Sequence, residues 1–187
     1  MTGRRRASSR SVLSHFPTPE QSPPAPLNPY AASKVDAEQA VLGCGGDPVL
    51  VRPFTVYGPG QRPEMAFARW IRAIETGAPA PRHAAPGTAR DFTYVDDAVA
   101  GIVAALRYGR SGEAYNISGW RPVELREALA LLEPPGVLEL PASPADAHVT
   151  HGCGRRAAEE LGYEPAVELR DGLERQLAAA TPRSIAA

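Results

Sequence analysis

Lysine is almost missing from this sequence. Of its 20 basic residues 19 are arginine, and Lys34 stands alone. The many Ala, Gly and Pro residues point to a coding bias that explains why arginine replaces lysine elsewhere. Bias does not explain the one lysine that is kept, so Lys34 is a candidate for work that a guanidinium cannot do. Cysteine is scarce too: Cys44 and Cys153 lack CxxC spacing. That pattern argues against a disulfide framework or a metal site and for reduced thiols in a cytoplasmic protein. An excess of either charge is lacking as well, and a net charge of −1 gives no reason to expect nucleic acid or an anionic membrane as partner. No apolar run approaches the roughly 20 residues that span a bilayer. The basic start, MTGRRRASSR, is followed by no apolar core of a secretory signal. What remains is an ordinary soluble composition, 43% hydrophobic over 187 residues, enough for one domain and a fraction.

What is present alternates between helix and strand. Residues 1–27 are rich in Arg, Ser and Pro and read as irregular. Asn28 is a good N-cap with Pro29 behind it, so a helix is predicted through YAASKVDAEQAVL to a stop at Gly43. VLVRPFTVY (49–57) reads as one buried strand. EMAFARWIRAIETG reads as an amphipathic helix with Met65, Ala68, Ile71 and Ile74 on its apolar side. Residues 78–90 form a Pro-rich connector, DFTYV a short strand, and Asp96 a cap for DAVAGIVAALRYG, an apolar helix expected to be buried. EAYNISG predicts a strand, PVELREALALLE a helix opened by Pro122, VLEL a strand, and 154–162 and 167–180 two more helices. The class is α/β.

The chemistry centres on NPYAASK, residues 28–34. Helical spacing places Tyr30 and Lys34 one turn apart on one face. A free phenol, with a pKa of about 10, is a poor base near neutrality. A nearby ammonium favours the phenolate and makes the tyrosine a usable proton acceptor. Taken alone, the pair reads equally well as an ordinary helix-surface contact.

Its neighbours sharpen it. ASSRSV (7–12) upstream, then VRPFTVYGPGQRPEMAF (51–67), ARDFTYVDDAVAGIVAAL (89–106), AYNISG (114–119) and EELGYEP (159–165) follow in order. Together they resemble the extended short-chain dehydrogenase/reductase family of NAD-dependent nucleotide-sugar epimerases and dehydratases, and within it the UDP-glucuronate 4-epimerase group. The resemblance runs from residue 7 to about 175. It implies NAD as cofactor and a nucleotide-diphosphate sugar as substrate. The sugar 4-hydroxyl gives its proton to Tyr30 while hydride passes transiently from C4 to NAD. Lys34 is implied as activator and ribose ligand, Ser9 as hydrogen-bond partner of the reacting hydroxyl, and Pro53 with Tyr30 and Lys34 as cofactor contacts. Arg90 matches the arginine on the sugar diphosphate. Thr55 and Arg62 match positions that hold the sugar carboxylate, although a loop arginine also reads as solvated surface. Asp96 and Asp97 look like a catalytic carboxylate pair, but helix capping is the better reading of Asp96.

The pattern is also broken. No GxGxxG or GxxGxxG follows an N-terminal strand, and the glycines at 43, 45 and 46 end a helix instead of opening one. MTGRRR stands where an apolar central strand leads into the serine turn, Leu13 replaces a tyrosine, Cys153 an aspartate, and Ser143 an arginine ahead of Asp146. Arg10 and Ser11 occupy the acidic positions of family dehydratases, which disfavours a dehydratase. The expectation is an incomplete Rossmann-like parallel sheet, its N-terminal strands and Gly-rich loop missing, with a small C-terminal α/β substrate-binding region. By residues, 1–27 are irregular with a remnant serine turn, 28–60 and 89–119 the remnant dinucleotide-binding domain, and 61–88 with 120–180 the nucleotide-sugar region. Two readings follow. One is a nucleotide-sugar epimerase whose missing half comes from a partner, with a homodimer also implied; the other is an inactive relic or nucleotide-sugar-binding module.

Overall fold

In the computed structural model the described residues are 16–143 and 146–180. Ser9, Arg10, Ser11 and Leu13 lie outside them. The first helix, α1 (Pro29–Gly43), begins where the sequence predicts: the Asn28 side chain accepts the Ala31 N–H at 2.8 Å and Pro29 takes the first helical position. Then come β1 (Leu50–Pro53), β2 (Thr55–Tyr57), α2 (Ala66–Thr76), β3 (Ala80–His83), β4 (Ala89–Tyr94) and α3 (Val95–Tyr108). The chain continues through β5 (Ala114–Ile117), β6 (Pro122–Glu124), α4 (Leu125–Ala130), β7 (Val137–Leu140), α5 (Arg155–Leu161) and α6 (Leu169–Ala180). The class is α/β, as the alternation predicts. No helix among the described residues is long and apolar enough to cross a membrane.

The strands pair in three small groups. β1 runs parallel to β5, β2 parallel to β4 with β6 antiparallel beyond it, and β3 parallel to β7. The single strand expected over 49–57 is therefore two. Pro53 has no N–H to continue the ladder. Phe54 still donates its N–H to Ile117 O at 2.9 Å, and from Thr55 onward the chain changes partner from β5 to β4. Two further expectations give way to long-range pairing. The connector at 78–90 contains β3, whose register is Ala80 against Val137. Pro122 opens the short strand β6, so its helix starts only at Leu125.

The larger core is aromatic. Tyr57, Phe67, Trp70, Phe92 and Tyr94 pack between α2, β2 and β4, with Tyr57 meeting Phe67 edge-on at 5.3 Å and Tyr94 at 5.5 Å. Trp70 is 1% exposed, and its Nε1–H donates to Pro81 O at 2.7 Å, tying α2 to β3. α2 buries Phe67, Trp70, Ile71 and Ala73 and packs Ile74 against the core, so Ile71 and Ile74 lie on the buried side as the spacing predicts. Met65 and Ala68 are only half-buried, and Phe67 and Trp70 take the central places. Gly77 closes α2 in the left-handed conformation at φ 69°, the geometry glycine favours. A second core joins Ala105, Tyr115, Ile117, Ala157, Leu161 and Tyr163, where α3 and α5 cover β5.

α3 is covered on one face only. α3 approaches β5 closely enough that a Cβ at Gly101 would lie 2.7 Å from Ile117. Its other face carries Val99, Ile102, Val103 and Leu106, all exposed and Leu106 at 85%. The helix is apolar, as the sequence says, but it is not fully buried. β1 has the same character: among the described residues it pairs with β5 alone, although its apolar run suits a strand with neighbours on both edges. α1 has no fully buried residue.

Candidate functional site

An open cleft of about 1120 Å³ lies where α1, the β1–β2 junction and the Pro-rich segment before α1 converge. One wall is α1, with Tyr30 and Lys34 facing the cleft. Arg52–Tyr57 and the loop Gly58–Arg62 line it as well, and a second wall is formed by residues between Thr18 and Ala25. Tyr30, Lys34, Pro53, Thr55 and Arg62 are thus all on one cavity. Arg90 is not among its lining residues.

The Tyr30–Lys34 pair is formed. The Lys34 ammonium lies 5.4 Å from the centroid of the Tyr30 ring, within cation–π range. The Tyr30 side chain is open to solvent, 71% exposed, so a substrate hydroxyl could reach it without any rearrangement. Ser33 Oγ donates to Tyr30 O at 2.8 Å, which keeps that hydroxyl on the helix backbone. Arg62 is exposed, paired with Glu64 at 3.3 Å. Arg90 is half-buried and spends one guanidinium nitrogen on the Ala89 carbonyl (2.8 Å) and the His148 carbonyl (3.3 Å). Burial pulls its pKa down from the usual arginine value, with Asp146 opposing.

The carboxylates are arranged differently from the expectation. α3 is capped by Tyr94 without any side-chain bond, so Asp96 is not its cap; Asp96 lies exposed in the first turn. Asp97 accepts the N–H groups of Ala166 (3.2 Å) and Val167 (3.1 Å), fixing the segment ahead of α6. Asp91, in the ARDF stretch, was not singled out by the sequence. It is completely buried and accepts from Gly119 N–H at 2.6 Å and Gly152 N–H at 3.1 Å. Burial pushes its pKa up, and those two N–H bonds pull it back.

The second group that sequence reasoning passed over surrounds Arg52. Its guanidinium grips Glu38 with two bonds, Nε to Oε1 at 2.8 Å and Nη2 to Oε2 at 2.6 Å, and donates through Nη1 to Glu20 O at 2.9 Å. The Arg52 bond holds the Glu38 carboxyl below its usual pKa range. An arginine inside the apolar run VLVRPF was the available signal, because a charge there needs a partner. Gln61 does a comparable job for the loop Gly58–Arg62, donating to Val56 O (3.2 Å) while accepting from Ala68 N–H (3.2 Å) and Gln176 (3.1 Å).

Lys34, Tyr30 and Pro53 present donors and an apolar edge suited to the ribose and nicotinamide end of a dinucleotide. Among the described residues the glycines at the end of α1 offer the diphosphate end no counterpart. Gly45 and Gly46 follow the C-terminus of α1, the negative end of the helix dipole, and a Cβ at either would meet nothing within 4 Å. They form no phosphate cradle.

Comparison with known proteins places the chain as a whole. Residues 6–118 match the NAD dependent epimerase/dehydratase family. The UDP-glucuronate 4-epimerase of Thermodesulfobacterium geofontis is 35% identical over 175 residues, 83% of this chain and 53% of that protein. A dTDP-glucose 4,6-dehydratase of an Actinoplanes strain is 34% identical, covering 85% of this chain and 53% of that protein. The Bacillus cereus UDP-glucuronic acid 4-epimerase, solved with UDP-glucuronic acid and NAD, superposes with a TM-score of 0.79 at 33% identity, over 84% of this chain and 54% of that one. The Streptomyces venezuelae dehydratase DesIV, solved with NAD and TYD, gives 0.80 at 29% identity, over 86% and 53%. The chain spans about half the length of the relatives it matches. Its fold corresponds to that half of a Rossmann-like epimerase.

Proposed function

The chain belongs to the NAD dependent epimerase/dehydratase family, and from that premise we propose that it carries the proton-transfer and sugar-holding part of a nucleotide-sugar 4-epimerase of the UDP-glucuronate type. The observation that carries the reading is the Tyr30–Lys34 pair, 5.4 Å from ammonium to ring, on the same cleft as Pro53, Thr55 and Arg62. Tyr30 accepts the proton of the sugar 4-hydroxyl, and the Lys34 charge favours the phenolate that does so. Ser9, outside the described residues, is proposed as hydrogen-bond partner of that hydroxyl. Thr55 and Arg62 hold the sugar carboxylate and Arg90 the diphosphate. NAD, when bound, supplies the reversible oxidation at C4. Arg10 and Ser11, in place of an acidic pair, favour epimerisation over dehydration.

The cofactor's diphosphate site is assigned to a segment outside the described residues. The exposed stripe of α3 and the open edge of β1 support this, since both suit a docked strand–helix unit. The same two features, with the absent Gly-rich turn, also support a second reading, an inactive relic that keeps only sugar contacts. Supplying the N-terminal half of a relative in trans, with NAD and UDP-glucuronate, separates the two. Turnover at C4 that falls by at least about 10²-fold in Tyr30→Phe is expected of the epimerase reading, in line with the usual contribution of a general base. Turnover unaffected by Tyr30→Phe refutes the proton-transfer role, and no turnover favours the relic.

A further inference from the structure

We propose that Arg52 is a positioning residue that holds both walls of the cleft and thereby sets where Tyr30 and Lys34 stand over the end of β1; its functional side rests on the reading above. Packing does little to place α1, because none of its residues is fully buried. What fixes it is polar. Tyr30, Lys34 and Glu38 follow at four-residue spacing along one stripe, and the two-pronged Arg52–Glu38 bond clamps the far end of that stripe to β1. Tyr30 lies eight residues from the clamp, about 12 Å along a rigid helix, so the clamp fixes the direction in which the pair is presented. The third donor of Arg52 reaches Glu20 O at 2.9 Å, in the second wall. That wall is secured in turn where Glu20 Oε1 accepts Asn116 N–H at 3.0 Å and Asn116 Nδ2 donates to Thr18 O at 3.0 Å. One guanidinium therefore spans β1, α1 and the Pro-rich segment. Lysine, with a single ammonium, could not hold all three in fixed geometry. The ion pair is about one-quarter to one-third exposed (29% and 27%), a setting in which such pairs add little net stability, so its value lies in placement.

The test is amide hydrogen exchange on the full chain and on Arg52→Met, Glu38→Gln and the exchanged pair Glu38→Arg/Arg52→Glu. Arg52→Met is expected to speed exchange at least tenfold in α1 and around Glu20–Ser22, with α2 and β4 unchanged. Glu38→Gln should loosen α1 alone. The exchanged pair should restore α1 but leave Glu20–Ser22 fast, because a carboxylate at 52 cannot donate to the Glu20 carbonyl. Unchanged exchange in both walls, a uniform rise across the chain, or an exchanged pair that leaves α1 loose overturns the proposal. Titration with UDP-glucuronate gives the functional readout: at least a tenfold loss of affinity in Arg52→Met, recovered in part by the exchanged pair. Loosened walls with undiminished affinity overturn the positioning role. A wild-type chain that does not bind UDP-glucuronate counts against the proposed function, and the exchange data still decide the role of Arg52.

Discussion

Asp91→Asn tests a buried restraint that ties three parts of the chain together. The carboxylate is fully buried and joins β4 to two distant loops through Gly119 N–H (2.6 Å) and Gly152 N–H (3.1 Å). Asparagine offers only one acceptor oxygen, so an NH₂ group faces one of the two N–H donors. Leaving one of these buried N–H donors without its acceptor costs about 1–3 kcal/mol, whether the carboxyl it faced is protonated or ionised. A net loss of about 2 kcal/mol corresponds to a melting temperature lower by roughly 4–8 °C for a chain of this size. The pH dependence carries the sign. Burial lifts the folded pKa of Asp91 above its unfolded value, so its contribution is full below the ordinary carboxylate range and declines as pH rises through the folded pKa. Asparagine does not titrate. The wild-type margin should therefore be widest in acid and narrow toward neutrality, measured by denaturant unfolding from pH 4 to 8. A variant as stable as wild type at every pH, or a margin that widens as pH rises, refutes the reasoning.

Two other perturbations are specified by geometry. Gly154→Ala places a Cβ 1.8 Å from Trp120 Nε1, so the indole must leave its edge-on contact with Tyr163, at 6.4 Å between centroids. A loss of about 1–3 kcal/mol and a red-shifted tryptophan emission are expected, and unchanged emission contradicts the packing described. The lowered pKa of Glu38 means that its hold on α1 is present above the ordinary carboxylate value and is lost as pH falls through the depressed one. Acidification should selectively speed amide exchange in α1. The same acid step in Arg52→Met would contradict the assignment to this pair.

Local chemistry was legible in the sequence. Asn28, Pro29 and Gly43 marked both ends of α1, and Tyr30 and Lys34 then had to share a face. What depends on distant partners was not. β3 hides in a Pro-rich stretch because its partner, β7, lies beyond three intervening strands and two helices. The run 49–57 looks continuous, and only the pairing with β5 and β4 shows its break at Phe54. The apolar pattern of α3 states what the helix needs, not what surrounds it, so Val99 and Leu106 were expected to be covered and are exposed. Asp96 had the position of a cap, whereas the cap geometry falls on Tyr94. Arg52 and Asp91 matter through bonds to Glu38, Gly119 and Gly152, none of them a sequence neighbour.

The central proposal is that this chain holds the sugar-facing half of an epimerase site, and that its described residues offer no floor for the cofactor's diphosphate. Calorimetric titration of the purified 187-residue chain with NAD tests it most directly. The account predicts no binding heat at micromolar to submillimolar NAD. A micromolar dissociation constant would contradict it, because a dinucleotide site would then exist without a glycine-rich turn.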